Sequence, residues 1–155
     1  MLWNQYCLIR LSVVYRGRAV PVVWEVIEQG SSSVTHEAYA ALLDAVPSLL
    51  PAGVKVVFLA DRGFADTERL AHLRRLGWPF RIRSKATFTV LRPGPPACKV
   101  EDLALAPGRA LFLHNVASTA EQFGPVSLAL ARHTKTGEYW YIVSEEPTNG
   151  HTFAE

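Results

Sequence analysis

The sequence predicts an α/β domain built on a mixed sheet, with a β-rich stretch toward its C-terminal end. Three observations predict it. Over the first half, segments rich in Val, Ile and Tyr alternate with segments of helical period. Beyond residue 91 no helical period occurs, and three β-type runs follow one another. The length of 155 residues, with 49% apolar and 19% charged side chains, suits one domain with a sizeable core.

The elements follow in order. YCLIRLSVVY (Tyr6 to Tyr15) and AVPVVWEVI (Ala19 to Ile27) flank RGR, which predicts an antiparallel hairpin around a glycine-containing turn. Pro21 has no N–H to donate, so the second strand, or its start, is expected at a sheet edge. The polar residues 30–33 lead into a helix over EAYAALLDAVPSLL, with Ser33 or Thr35 as N-cap. Ala38, Leu42, Ala45 and Leu49 form its apolar stripe, and Pro47 weakens its last turn. Lys55 to Ala60, KVVFLA, is a short apolar run that predicts a parallel strand covered on both faces. Asp66 is a suitable N-cap for TERLAHLRRL, with Leu70, Leu73 and Leu76 as its stripe and Gly77 as its stop. PFRIRSK alternates, placing Arg81 and Arg83 on one face. After the turn-rich RPGPPA come the strand-like RALFLHNV, PVSLALARHT and EYWYIVSE. PTNGHTFAE then reads as a turn and the first residues of a helix. Trp24, Trp78 and Trp140 are expected in the core, Trp3 at an exposed edge, and Arg74 and Arg75 in solvent.

Composition narrows the function. No apolar run reaches the ~18 residues of a membrane span. MLWNQYCLIRL lacks the pattern of a signal peptide, so the expected location is cytoplasmic. Cys7 and Cys98 lie far apart, and the five histidines show no ligand spacing, which argues against a disulfide framework or a zinc site. Charge is unevenly placed. Between Arg62 and Lys85 stand seven basic and two acidic residues, a local +5 in a chain of net +2. Such a patch suits phosphate.

That patch begins immediately after Asp61, at the end of the apolar run. Strand tips are where α/β folds build sites, so Asp61 is either a loop-starting turn residue or a catalytic carboxylate. Neither nucleotide-cradling glycine motif occurs, and no G-x-S-x-G elbow is present. A phosphoaspartate receiver would want an acidic pair after its first strand, where YRGR stands. A dehalogenase-like phosphatase would want an aspartate where Gly63 stands. A hydrolase pairing Asp61 with a histidine such as His114 is a further alternative.

LADRGF, followed by a helix and then FRIRSK, resembles the DDE transposases of the insertion-sequence-four family, which have a ribonuclease-H-like core. YRGRAVPVVWEV is similar to that family's second and third strands, and the β-rich stretch after RPGPP resembles the insertion before its last catalytic helix. The resemblance implies an incomplete ribonuclease-H-like mixed sheet with flanking helices over residues 1–91, a β-rich insertion over 92–144, and the start of an uncompleted helical region over 145–155. It implies that Asp61 is the second catalytic carboxylate and a metal ligand, with Arg62, Arg81, Arg83 and Lys85 as DNA contacts. The implied chemistry is metal-dependent DNA cleavage and strand transfer. In it, carboxylates bridge two Mg²⁺ or Mn²⁺ ions roughly 3.5–4 Å apart.

The sequence departs from the family at two of its three acids. No aspartate precedes Asp44, which lies in a predicted helix. No Tyr-Arg-Glu-Lys signature follows the insertion, and Glu145, Glu146 and Glu155 lack its neighbours. The expectation is therefore a transposase fragment, inactive alone and not holding Mg²⁺ stably. Its partners would be transposon-end and target DNA, and full-length transposase. The alternative is a non-catalytic remnant that binds DNA or transposase and inhibits it.

Overall fold

The computed structural model describes residues 5–28, 34–92, 96–118 and 123–153. Trp3, Ser33, residues 93–95 of the RPGPPA connection and Glu155 lie outside them. The chain divides into two compact units, Met1–Val54 and Lys55–Glu155.

In the first unit, β1 (Tyr6–Tyr15) and β2 (Arg18–Glu28) pair antiparallel as a two-stranded sheet. Arg16 and Gly17 turn the hairpin with φ of 49° and 73°. Two positive φ angles match the twist of the strands they join, a geometry open to glycine and unfavourable for arginine. The register shifts between Leu11 and Ser12, where Ser12 faces Pro21, so the proline sits at an irregularity as its missing N–H requires. Alternation then sorts the side chains. Cys7, Ile9, Leu11, Val23 and Ile27 pack with Val34, Ala38, Tyr39 and Leu42 on one face. Those last residues surround α1 (His36–Ala45), which has Thr35 at its N-cap and runs into a 3₁₀ helix, Val46–Leu49, with Pro47 in its first turn. Trp24 is not core. It falls on the opposite face of the hairpin from Val23 and is 61% exposed.

The second unit carries a seven-stranded sheet. Its strands are β3 (Phe58–Ala60), β4 (Phe80–Arg83), β5 (Thr89–Leu91), β6 (Cys98–Lys99), β7 (Ala110–Ser118), β8 (Phe123–Arg132) and β9 (Tyr139–Ser144). They lie in the order β3-β4-β9-β8-β7-β5-β6. β3 and β4 are parallel and every other pair is antiparallel. The fold is thus mixed α/β with a large mixed sheet and few helices, consistent with part of a ribonuclease-H-like DDE core. The strands on either side of residue 92 share this sheet. Ile82 faces Val143, which faces Leu128, and these residues mark its buried side together with Phe80 and Leu130. Leu70 and Leu73 of α2 (Thr67–Arg75) are equally buried.

The apolar run before Asp61 differs from its expected form. Only Phe58–Ala60 is strand, and it is parallel as expected, but β3 is the outermost strand of the sheet. It is not covered on both faces. Leu59 and Val57 are exposed. An apolar run reports that a strand is compatible with burial, whereas its place in the sheet depends on which strands pair beside it. The terminal segment forms a 3₁₀ helix, Gly150–Phe153.

Candidate functional site

Asp61 stands where β3 ends. Its backbone is still extended (φ −85°, ψ 172°), and its side chain caps a 3₁₀ helix, Arg62–Phe64. Oδ1 accepts the Arg62 N–H at 2.7 Å. The side chain is exposed, and Oδ2 has no protein donor among the described residues. One oxygen therefore serves the turn and the other faces solvent.

The corner that follows is well held. Phe64 donates its N–H to the Asp61 carbonyl at 2.9 Å and sets its ring edge-on to Phe58, centroids 6.4 Å apart. The Arg69 Nη1 donates to the Gly63 carbonyl and to Asp66 Oδ2, both at 2.6 Å, while its guanidinium lies over the Phe64 ring. Asp66 Oδ1 in turn accepts the Arg69 N–H at 3.0 Å and so caps α2. The cap and the glycine stop (Gly77, φ 70°) were both readable from sequence.

The parallel register relates Asp61 to the basic strand. Leu59 lies opposite Arg81, and Ala60 opposite Ile82. One further residue brings Asp61 level with Arg83, on the face that Leu59, Arg81 and Arg83 share by alternation. Phe80 and Ile82 are buried beneath while Arg81 and Arg83 are half-buried. Lys85 and Arg62 are exposed and make no ion pair among the described residues.

Arg81 and Arg83 are not bare cations. Arg83 Nη2 meets Glu138 Oε1 at 2.8 Å, and its guanidinium lies over the Trp140 ring, 4.3 Å from the centroid. Arg81 Nη2 meets Glu146 Oε2 at 3.2 Å. Trp140, expected in the core, is instead 42% exposed on this face, stacked beneath an arginine. Arg74, expected in solvent, is the most engaged cation. It holds both oxygens of Glu145 (2.9 and 3.0 Å), donates to the Gly124 and Pro125 carbonyls (both 3.1 Å), and lies over Phe123. Sequence reasoning missed Glu138, Glu145 and Glu146 as partners of the basic patch.

His114 is not brought to Asp61. It sits on β7, four strands from β3 in the sheet order. At about 4.8 Å per strand, that separates them by roughly 19 Å. Its Nδ1 approaches Ser127 Oγ at 3.3 Å instead.

A pair of divalent ions asks for several oxygen donors in one place. Magnesium takes oxygen ligands, and Asp61 offers a carboxylate oxygen with no protein donor. Among the described residues, however, no group of three or more His, Cys, Asp or Glu could hold an ion. These residues alone do not fit a two-ion centre. No helix among them is long and apolar enough to cross a membrane. A family model described as a transposase DDE domain matches residues 4–138. No curated protein matches the chain.

Proposed function

Since the chain belongs to the transposase DDE domain family, we propose that it is the central part of an insertion-sequence-four type transposase core, a DNA-binding surface arranged around one catalytic carboxylate. One observation carries this reading: Asp61 directly follows β3, whose parallel register sets Leu59 opposite Arg81 and Ala60 opposite Ile82, the residue before Arg83. Within it, residues 1–91 belong to the ribonuclease-H-like core, 92–144 to the β-rich insertion, and 145–155 to the start of a helical region.

The roles follow from chemistry. Arg62, Arg81, Arg83 and Lys85 would contact backbone phosphates, which positions a duplex without reading its sequence. Asp61 would present its outward oxygen beside the bound phosphate. Family members use divalent metal ions for cleavage and strand transfer, and such a centre needs carboxylates beyond Asp61. The sequence carries neither of the family's other two acids in its expected motif, and in this reading the chain alone binds DNA without cutting it. That same property favours a second reading, in which the chain occupies DNA or full-length transposase and inhibits transposition.

Binding and nicking of a labelled duplex by the whole chain test the proposal. Binding should be independent of sequence and weaken with salt, with a log–log slope of about −0.9 per phosphate contacted. Replacing Arg81, Arg83 and Lys85 by Ala should weaken it and flatten the slope, and Mg²⁺ or Mn²⁺ should produce no nicks. Salt-insensitive binding would overturn the DNA surface. Metal-dependent nicking that Asp61→Ala abolishes would show that the chain holds its own full set of acids.

A further inference from the structure

The strand beside β4 is bracketed by acids, with Glu138 just before β9 and Glu145 and Glu146 just after it. Two of them cap the arginines of the candidate surface, Glu138 on Arg83 and Glu146 on Arg81. The third is different in kind. Glu145 holds Arg74, which two backbone carbonyls and an aromatic ring also fix, so that arginine is committed to the framework.

The Glu138 and Glu146 side chains are 52% and 45% exposed. Exposed pairs of this kind contribute little and exchange readily. A guanidinium donates to carboxylate and to phosphate oxygens through the same forked geometry. Arg83 is also held over Trp140 independently of its carboxylate, so it can change anion without leaving its place.

Resting on the DNA-binding reading above, we propose that Glu138 and Glu146 are internal stand-ins for phosphate, occupying on Arg83 and Arg81 the positions that nucleic-acid phosphates take over. Binding is then an exchange of anions. DNA displaces two carboxylates of the chain, and the affinity observed is lowered by what those carboxylates contribute.

Fluorescence anisotropy of a labelled duplex, titrated with the whole chain across a range of NaCl, measures the exchange. Glu138→Gln and Glu146→Gln should each tighten binding at low salt by about 1.5- to 5-fold, the scale of an exposed ion pair. The salt slope should keep its wild-type value in both variants, because the two arginines meet phosphate in the wild type as well. Adding Arg83→Ala to Glu138→Gln should cancel the gain. Glu68→Gln removes the same charge from an exposed acid that makes no ion pair among the described residues, and it should leave the affinity within about 1.5-fold of the wild type. A wild-type chain that binds with an affinity indifferent to both glutamine substitutions overturns the exchange and leaves the DNA surface standing. Absence of binding by the wild type and every variant overturns both. Binding that appears only in the glutamine variants supports the exchange.

Discussion

Arg74 and Arg75 are neighbours on α2 with the same charge, and the sequence offers no reason to separate them. The structure does. Arg74 ties the C-terminal turn of the helix to β8 and to Glu145, while Arg75 is exposed and makes no ion pair among the described residues. Charged hydrogen bonds and a cation over a ring are each worth about 1 kcal/mol or more when partly shielded. Arg74→Ala should therefore destabilise the protein by about 2 kcal/mol, and Arg75→Ala by less than about 0.5 kcal/mol. Urea unfolding midpoints decide this, and equal midpoints for the two variants would refute it. What was legible at this scale was local. The Asp66 cap acts within three residues, and Asp61 was marked by the run before it. The partners of Arg83, Arg81 and Arg74 lie 55, 65 and 71 residues away in sequence. No spacing rule reaches across such distances, so the pairing waits for the fold.

The elements were legible where pattern and length agreed. The hairpin, both helices and β7, β8 and β9 stand close to their expected positions, because strands of six or more residues between turn signals carry a strong pattern. β5 and β6, with three and two residues, carry no period and were missed. β3 was recognised but misjudged in length and cover. The hairpin turn offers a direct check on its own chemistry. Arg16 adopts φ 49°, a region that costs most L-residues about 1–2 kcal/mol and that asparagine tolerates. Arg16→Asn keeps Gly17 and creates the Asn-Gly pair this turn favours. It should stabilise the chain by roughly 0.5–1 kcal/mol, while Gly17→Val should destabilise it by a similar amount or more. Thermal unfolding of the two variants should move in opposite directions, and a lower midpoint for Arg16→Asn would sink the turn assignment.

At the scale of the whole molecule, the two units rest on unequal cores. The second buries Phe80, Ile82, Leu128, Leu130 and Val143 to 1% exposure or less, whereas the first leaves Val14, Tyr15, Trp24 and Val26 more than half exposed. A two-stranded sheet is marginal without cover, and amides in such regions open more easily than those of a packed sheet. Hydrogen exchange of the intact chain should find β4, β8 and β9 protected at least about tenfold more than β1 and β2. Equal protection would mean the hairpin is covered in solution. Within the second unit, α2 is fastened at both ends by arginines. Arg69 pins its first turn to the loop carbonyl beside Asp61, and Arg74 pins its last turn to the backbone of β8. A helix gripped at both ends behaves as a strut and passes displacement along its axis. A shift at the start of β8 is thereby passed through Arg74, along the helix and through Arg69, to the corner that follows Asp61.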